Sequence, residues 1–205
     1  MVHGVNGSGK STLLATMYGE CGVTNPGSIW RRDLAPEAAL SDFQRHVGYV
    51  TPELQAALPR SQTALECVVA GMRGAYRLDG TVRKSERRGA LQALGDQGAL
   101  ALARRPFGEL SYGQARRVVF ARALAGRPDI VLLDEPYTGL DAATRRRLRR
   151  LIDAHIAAGG TVVIASHHRD DRPQGVTHEI ELAGGVARYC GPLRTGQVAA
   201  RLERL

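Results

Sequence analysis

The residues that most clearly indicate chemistry lie near the start of the chain, in the stretch "GVNGSGKST", Gly4 to Thr12. A glycine, four intervening positions and then Gly9, Lys10 and Ser11 give the spacing of a phosphate-binding loop. Glycines let backbone N–H groups curl around phosphate oxygens, Lys10 reaches the outer phosphates, and the Ser11 hydroxyl can bind Mg²⁺. A simple glycine-rich turn is the alternative, but the position between an apolar strand and a helix favours phosphate binding. The predicted contacts are Gly4, Asn6, Gly7, Ser8, Gly9, Lys10, Ser11 and Thr12.

Two adjacent carboxylates follow a second apolar run, "DIVLLDEP", in which Asp134 and Glu135 come directly after Ile130 to Leu133. Ligands of open α/β sheets bind at the carboxyl ends of the strands, so we expect both side chains beside the phosphates. The arrangement predicts that Asp134 belongs to the Mg²⁺ shell and that Glu135 takes a proton from an attacking water. An acidic turn after a buried strand would not by itself predict a phosphate loop upstream.

The hydrophobic pattern indicates the elements that must position these residues. Short apolar runs alternate with helical patterns, which predicts a mostly parallel sheet covered by helices on both faces. The stretch "THEIELAGGVARYC" predicts a hairpin around Gly184 and Gly185. The predicted strands are Met1 to Val5, Val47 to Val50, Ile130 to Leu133 and Thr161 to Ala165, and the predicted helices include Lys10 to about Gly19 and Asp141 to Ala158.

Between about Pro52 and Gly113 the apolar residues recur at helical spacing and clear strand runs are missing. We therefore predict one domain, residues 1–205, with an α/β core at 1–51 and 114–205 and a helical subdomain at 52–113. On the helix after Asp141, the arginine run from Arg145 to Arg150 is typical of a solvent-exposed face.

Length and composition limit the class of protein. The 205 residues suit a single substantial domain, and 43% hydrophobic with 23% charged residues argues against disorder. The longest apolar runs fall far short of the roughly 20 residues that cross a bilayer, and the three cysteines lack metal-ligand spacing, so we expect a cytoplasmic protein. A net charge of +8 raises a nucleic-acid partner as an alternative, although all basic residues except Lys10 and Lys84 are arginines, which indicates composition bias.

Three further motifs resemble those of ABC ATPases. "LSYGQARRVVFARAL", Leu110 to Leu124, resembles the signature motif, "YTGLD" resembles the D-loop, and "VVIASHH" ends a strand at the position of the switch histidine, His167. With the phosphate loop and the acidic pair, five motifs stand in the family order from Gly4 to His168. The chain is therefore similar to an ABC ATPase, which implies the P-loop NTPase fold with a helical subdomain inserted between Q-loop and signature motif.

The resemblance implies a second ABC domain as partner, because the family sandwiches two ATP molecules, with Mg²⁺, between facing domains. Ser111, Gly113 and Gln114 would contact the γ-phosphate bound by the opposite domain, where the dipole of the signature helix points at it. Lys10, Glu135 and His167 would be catalytic, with His167 sensing the γ-phosphate. Asp141 of the D-loop would couple the two sites.

Two departures from the family pattern concern the site. Tyr112 replaces the first glycine of the signature pair, a position where the family tolerates substitution. In "VGYVTPELQ", Pro52 stands where the Q-loop glutamine normally follows its strand. Either Glu53 or Gln55 would then approach Mg²⁺ and the water, and the sequence leaves that choice open.

Details of two segments resemble the molybdenum-transport and photorepair ATP-binding proteins. These are "YVTPELQ" and the double histidine of "ASHHRDDRPQGVTHEIEL". The family also normally begins with an antiparallel strand pair whose aromatic residue stacks on adenine, and this pair is missing before Gly4. The nearest aromatics, Tyr18 and Trp30, lie after the loop, so we expect a shortened start or one half of a longer protein.

The function that this resemblance implies is ATP binding and hydrolysis that energise membrane transport. The chain would then work in the cytoplasm, peripherally at the inner face of the cell membrane, against a membrane-spanning subunit. Two alternatives remain: a soluble ABC ATPase that acts on nucleic acid in repair or translation, and a nucleotide-dependent regulatory module with little turnover.

Overall fold

A six-stranded sheet forms the centre of the computed structural model, which describes residues 1–22, 39–168 and 171–194. The strand order is β2-β3-β4-β1-β5-β6, and all neighbours are parallel except the antiparallel pair β5 and β6. The strands are β1 (Val2–His3), β2 (Val47–Val50), β3 (Ile130–Asp134), β4 (Thr161–Ala165), β5 (His178–Ala183) and β6 (Val186–Pro192).

The strand register brings three chain segments to one edge of the sheet. Ala165 at the end of β4 pairs with Asp134 of β3 on one side and with Val2 of β1 on the other. The apolar side chains of β2 and β3 are almost all buried, as expected for strands covered on both faces. The loops that follow β1, β3 and β4 therefore leave the sheet side by side.

Seven α-helices occur in the described residues, and none of them is long and apolar enough to cross a membrane. Two 3-10 turns, Leu100–Leu102 and Phe107–Glu109, precede α6. The helices are α1 (Lys10–Tyr18), α2 (Leu40–Gln44), α3 (Pro52–Ala57), α4 (Ala64–Met72), α5 (Lys84–Asp96), α6 (Tyr112–Leu124) and α7 (Ala142–Ala157).

Side-chain caps fix where several helices begin. Thr63 and Glu66 form a reciprocal capping box at the start of α4, and Thr51 accepts a hydrogen bond from the Leu54 N–H at the start of α3. The buried Arg122 of α6 donates to the carbonyls of Cys67 and Ala75, so it joins α6 to α4 and the turn after it. Such a desolvated cation is tolerated because carbonyl oxygens accept its hydrogens.

The secondary structure follows the sequence predictions closely. The strands at 47–50 and 161–165, the hairpin and the helix capped by Asp141 are confirmed, and the fold class is confirmed as a mostly parallel α/β sheet. The first strand is shorter than predicted because the chain turns at Gly4, where φ is +151°. Residues 52–111 contain α3, α4, α5 and both 3-10 turns; that they form a separate subdomain stays a prediction.

We predict that Gly48→Ala lowers the free energy of unfolding by about 1–3 kcal/mol, because a Cβ there would lie 2.5 Å from the Ala123 carbonyl oxygen of α6. Urea unfolding measures the change. Gly95→Ala in α5 is the matched control, since nothing lies within 4 Å of its Cβ position, and there stability should rise by up to about 1 kcal/mol. Equal stability of Gly48→Ala and the parent would contradict the close approach of β2 and α6.

Candidate functional site

The loop between β1 and α1 has the conformation of a phosphate cradle. Gly4 has a positive φ, and a Cβ there would lie 2.3 Å from the Leu182 carbonyl oxygen, so only glycine fits. The Ser8 N–H donates to the Val5 carbonyl at 3.1 Å, which closes the turn. Gly9 is the N-cap of α1 and provides no side-chain cap, so the N–H groups of the first helical turn remain available to an anion.

Lys10 lies inside this loop rather than in solvent. It is 6% exposed, and its Nζ donates to the carbonyls of Gly4 at 2.9 Å and Val5 at 3.1 Å. The buried Ser8 hydroxyl has no hydrogen-bond partner in the described part of the chain. A buried polar group without a partner is costly unless a ligand satisfies it, so the loop is built to receive acceptor oxygens such as those of phosphate.

Asp134 lies at the carboxyl end of β3, next to the phosphate loop. Burial raises the pKa of its carboxyl, and a hydrogen bond from Ser11 opposes that rise. Its Oδ1 has no partner among the described residues. A hydroxyl beside a carboxylate with a free oxygen is the donor set that Mg²⁺ takes in phosphate-loop sites, so Ser11 and Asp134 fit the predicted metal. They do so although no cluster of three His, Cys, Asp or Glu side chains occurs in the described residues.

Glu135 and His167 are brought together at the ends of β3 and β4. Glu135 has a φ of +43°, an uncommon value for a residue with a side chain, and its N–H donates to the Ala165 carbonyl at 2.9 Å. Its Oε1 lies 2.7 Å from the His167 Nδ1 and accepts from the His167 N–H at 3.1 Å. Because a carboxylate oxygen only accepts, Nδ1 carries the hydrogen in this pair.

Three residues that the sequence analysis did not assign to the site surround this pair. Ser166 is fully buried, and its hydroxyl reaches both Asp171 and Glu135. Arg145 of α7 forms an ion pair with Asp171. The Arg145 side chain is still 43% exposed, so it belongs to the predicted solvent-exposed face of α7 and also binds a buried carboxylate that follows β4.

The sequence analysis also did not assign Arg116 of the signature helix, whose side chain hydrogen-bonds to the backbone of the acidic pair. Its side chain is fully buried, and its Nη2 donates to the carbonyls of Asp134 at 3.2 Å and Glu135 at 3.1 Å. Burial lowers the pKa of this guanidinium, and nearby Asp134 and Glu53 oppose that effect. The sequence could have indicated this buried role, because Arg116 lies on an otherwise apolar face of α6.

The signature motif and the D-loop lie beside each other. Ser111 and Gln114 form a capping box at the start of α6, and space is open at Gly113. The Tyr112 ring is 52% exposed and lies against Gly139, whose Cβ position is 3.0 Å from the ring. No hydrogen bond joins Ser111 or Gly113 to the phosphate loop in the part of the chain that the structure describes.

Asp141 is placed by the structure as the N-cap of α7. Its carboxylate accepts from the Thr144 N–H and hydroxyl, both at 2.8 Å, and these bonds lower its pKa. These bonds hold the last residue of the D-loop at the start of α7. Its predicted role in coupling two sites stays a prediction.

The two candidates for the Q-loop position differ in their surroundings. The Gln55 Nε2 donates to the Tyr112 carbonyl at 3.5 Å, so this side chain is directed to the signature motif. Glu53 is exposed, and in addition to the larger effect of burial its charge raises the pKa of the Asp134 carboxyl. Trp30, one of the two aromatics noted above, lies outside the described residues, and Tyr18 is buried in a stack with Tyr49.

We predict that Asp134→Asn stabilises the ligand-free protein by about 1 kcal/mol at neutral pH, because it removes a desolvated charge and retains the shape. Since folding raises the pKa of Asp134, its destabilising effect grows as pH rises through that pKa. Urea unfolding at neutral pH and at about pH 4 should therefore show the gap between parent and variant shrink in acid.

Asp129→Asn is the control for this comparison. Its side chain is 79% exposed at the opposite end of β3, so stability should change little at either pH. A lower stability of Asp134→Asn than of the parent at neutral pH would contradict the assigned desolvation.

Comparison with known proteins identifies the family. The family described as "ABC transporter" matches residues 1–138. The chain is 33% identical over 192 residues to the ABC transporter ATP-binding protein ModF of Escherichia coli (strain K12), which covers 91% of this chain and 39% of ModF. It is 36% identical over 183 residues to the cytochrome c biogenesis ATP-binding export protein CcmA of Bordetella bronchiseptica, covering 88% of this chain and 77% of CcmA.

Solved structures agree with these relatives. A dimeric structure of MJ0796, a bacterial ABC transporter cassette, superposes with a TM-score of 0.76 at 29% identity over 94% of this chain and 84% of that one. A post-hydrolysis state of the same cassette with ADP and phosphate gives a TM-score of 0.75. The predicted resemblance, the P-loop NTPase fold and ATP binding are thereby confirmed, and the nucleic-acid alternative finds no support. The chain belongs to the ABC transporter family and is one of its ATP-binding cassettes.

Proposed function

We propose that this chain hydrolyses ATP and that the resulting cycle energises transport across a membrane. The observation that carries the proposal is the convergence of the phosphate loop, Asp134, Glu135 and His167 at one edge of the sheet. Lys10 and the N-terminus of α1 would bind the outer phosphates of ATP in place of the Gly4 and Val5 carbonyls.

Ser11 and Asp134 would hold Mg²⁺ between the phosphates and the sheet. The free Oδ1 of Asp134 and the hydroxyl beside it support this assignment. When bound, the ion would neutralise charge that develops on the phosphate oxygens. We propose Glu53 as the Q-loop residue because its charge acts on Asp134; Gln55 is the alternative, since its Nε2 binds the Tyr112 carbonyl but its buried Oε1 has no partner among the described residues.

Glu135 would accept the proton of the attacking water. Its Oε1 is already bound twice by His167, whereas the one contact of its Oε2 within the described residues is a long one to Ser166 at 3.4 Å, so we assign Oε2 to the water. Arg116 fixes the backbone of this turn through two carbonyls, which keeps the carboxylate in place. The Nε2 of His167, on the other side of the ring from Glu135, would face the γ-phosphate.

A second ABC domain would complete each site. Among the described residues no hydrogen bond joins Ser111, Gly113 or Gln114 to the phosphate loop, and space is open at Gly113, which supports a contact of these residues with the nucleotide of a partner. The dimeric cassettes among the structural relatives support this arrangement. The N-terminal end of the partner domain's signature helix, with its positive dipole, would point at the γ-phosphate.

Transport coupling rests on the relatives. ModF, CcmA, the cobalt import protein CbiO of Rhodobacter capsulatus and the molybdenum import protein ModC of Mycobacterium tuberculosis are named for transport or export. We propose that residues 52–113 form a helical subdomain that contacts a membrane-spanning subunit, which places the chain at the inner face of a membrane. The chain spans 39% of ModF, so any further domains of the whole protein would add to this unit.

We predict that Glu135→Gln lowers the rate of phosphate release from Mg²⁺-ATP by at least about 100-fold, because the general base is lost while shape is kept. The variant should also collect as an ATP-bound dimer on a sizing column. Asp79→Asn, on a side chain that is almost fully exposed, is the control and should turn over at the parent rate.

Turnover of Glu135→Gln at the parent rate would contradict the assignment of Glu135 as the general base. A parent that binds ATP without turnover would instead favour the regulatory alternative. Substrate uptake that persists in a membrane complex carrying Glu135→Gln would contradict the proposed link to transport.

We also predict that Glu53→Ala raises the Mg²⁺ concentration needed for half-maximal turnover several-fold, because a carboxylate whose charge acts on Asp134 is lost. Gln55→Ala, which removes the bond to the Tyr112 carbonyl and an unpartnered amide oxygen, should leave that concentration unchanged. A Mg²⁺ titration of both variants distinguishes the candidates, and the reverse pattern would assign the position to Gln55.

A further inference from the structure

The buried hydroxyl of Ser166 lies between two carboxylates. Its Oγ is 2.6 Å from the Asp171 Oδ2 and 3.4 Å from the Glu135 Oε2. A serine hydroxyl has one hydrogen and can donate it to only one of them at a time. The shorter distance is typical of a hydroxyl that donates to a carboxylate, and the longer one exceeds the usual range. The hydrogen of Ser166 therefore points to Asp171.

Asp171 is held in place to receive this hydrogen. Its side chain is 3% exposed, its Oδ1 is bound by Arg145 of α7, and its N–H donates to the His168 carbonyl at 3.2 Å. The Arg145 guanidinium also lies over the Tyr137 ring, 5.1 Å from its centroid. Both carboxylate oxygens of Asp171 thus have a fixed partner, one a cation and the other the Ser166 hydroxyl.

The direction of this hydrogen matters for Glu135. His167 occupies Oε1 through its N–H and its Nδ1. If Ser166 donated to Glu135 instead, its hydrogen would take one lone pair of Oε2 and add a third hydrogen bond to this carboxylate, which would stabilise the ionised form against accepting a proton from the water. The His168 N–H donates to the Ser166 Oγ at 3.0 Å, so the hydrogen of this hydroxyl points away from the His168 N–H.

We propose that Asp171 is a positioning residue for the catalytic base: it binds the single hydrogen of Ser166 and so keeps that hydrogen off Oε2 of Glu135, the oxygen that accepts the proton of the attacking water. The inference rests on the proposed function, because it concerns the water that Glu135 activates. Asp171 acts through Ser166 and does not itself contact the nucleotide.

Asp171→Asn tests this with almost no change of shape. A guanidinium only donates, so the amide oxygen would face Arg145 and the NH₂ group would face Ser166. The Ser166 hydroxyl would then accept from the amide and turn its hydrogen to Glu135. We expect kcat to fall about tenfold while KM for ATP stays within about twofold, since the step affected is water activation and not nucleotide binding.

The decisive measurement is a second change in the same chain. Adding Ser166→Ala to Asp171→Asn removes the misdirected hydrogen, so kcat should rise at least about threefold above that of Asp171→Asn alone. Ser166→Ala alone is the remaining variant of this double-mutant cycle. Asp129→Asn, the same chemical change at the far end of β3, should turn over at the parent rate.

A purely structural role for Asp171 predicts no such recovery, because removing a second buried polar group would leave the site no better ordered. A double variant as slow as Asp171→Asn, or an unchanged kcat in Asp171→Asn, overturns the inference. Thermal unfolding checks that each variant is folded. If Asp171→Asn does not fold, Asp171→Ala also frees the hydrogen and must show the same loss and the same recovery.

Failure of this inference and failure of the proposed function are distinguishable in the same assay. Turnover that requires Glu135 but does not respond to Asp171→Asn overturns only the positioning role. Turnover that is equal in the parent and in Glu135→Gln contradicts the proposed function, and the positioning role fails with it.

Discussion

The pairing of Ala165 with two neighbours is the constraint on which the site depends. Its position at the end of β4 sets Val2 on one side and Asp134 on the other, and its carbonyl accepts the Glu135 N–H. Because parallel strands end at the same edge, this one register aligns the phosphate loop, the acidic pair and the switch histidine. A shift of β4 by one residue would turn the side chains of this strand to the opposite face of the sheet.

The second feature of the site is a set of polar side chains that are buried at the carboxyl ends of these strands. Asp134 and Ser8 keep polar atoms without partners, whereas Glu135, Ser166 and Asp171 are joined by hydrogen bonds. Unsatisfied buried groups are costly and are retained in native proteins where a ligand or ion pairs with them. The open atoms of Asp134 and Ser8 therefore support the proposed binding of ATP and Mg²⁺.

Buried arginines connect the helical part of the chain to the sheet. Arg116 binds the carbonyls of Asp134 and Glu135 from the signature helix, and Arg122, two turns later, binds carbonyls at α4. A rigid α6 thus contacts the acidic turn at one end and the helices of residues 52–113 at the other. α6 therefore joins the acidic turn to the helices of residues 52–96 through hydrogen bonds of two buried side chains.

The sequence by itself determined the chemistry, because phosphate binding, metal binding and a general base each need particular residue types at fixed spacing along the chain. It also determined most strands and helices, since buried parallel strands such as β2 and β4 are continuous apolar runs with clear ends. The family resemblance followed from the order of the motifs and is confirmed by the relatives.

Only the tertiary structure decided which distant residues support that chemistry. Asp171, Arg145 and Ser166 come from a loop, a helix and a strand end, and their contacts depend on how α7 packs against β4. For the Q-loop, the structure shows that the Gln55 Nε2 binds the Tyr112 carbonyl, a contact that the spacing of Glu53 and Gln55 along the chain could not predict. Local spacing determines what a residue is able to do, whereas packing determines what it faces.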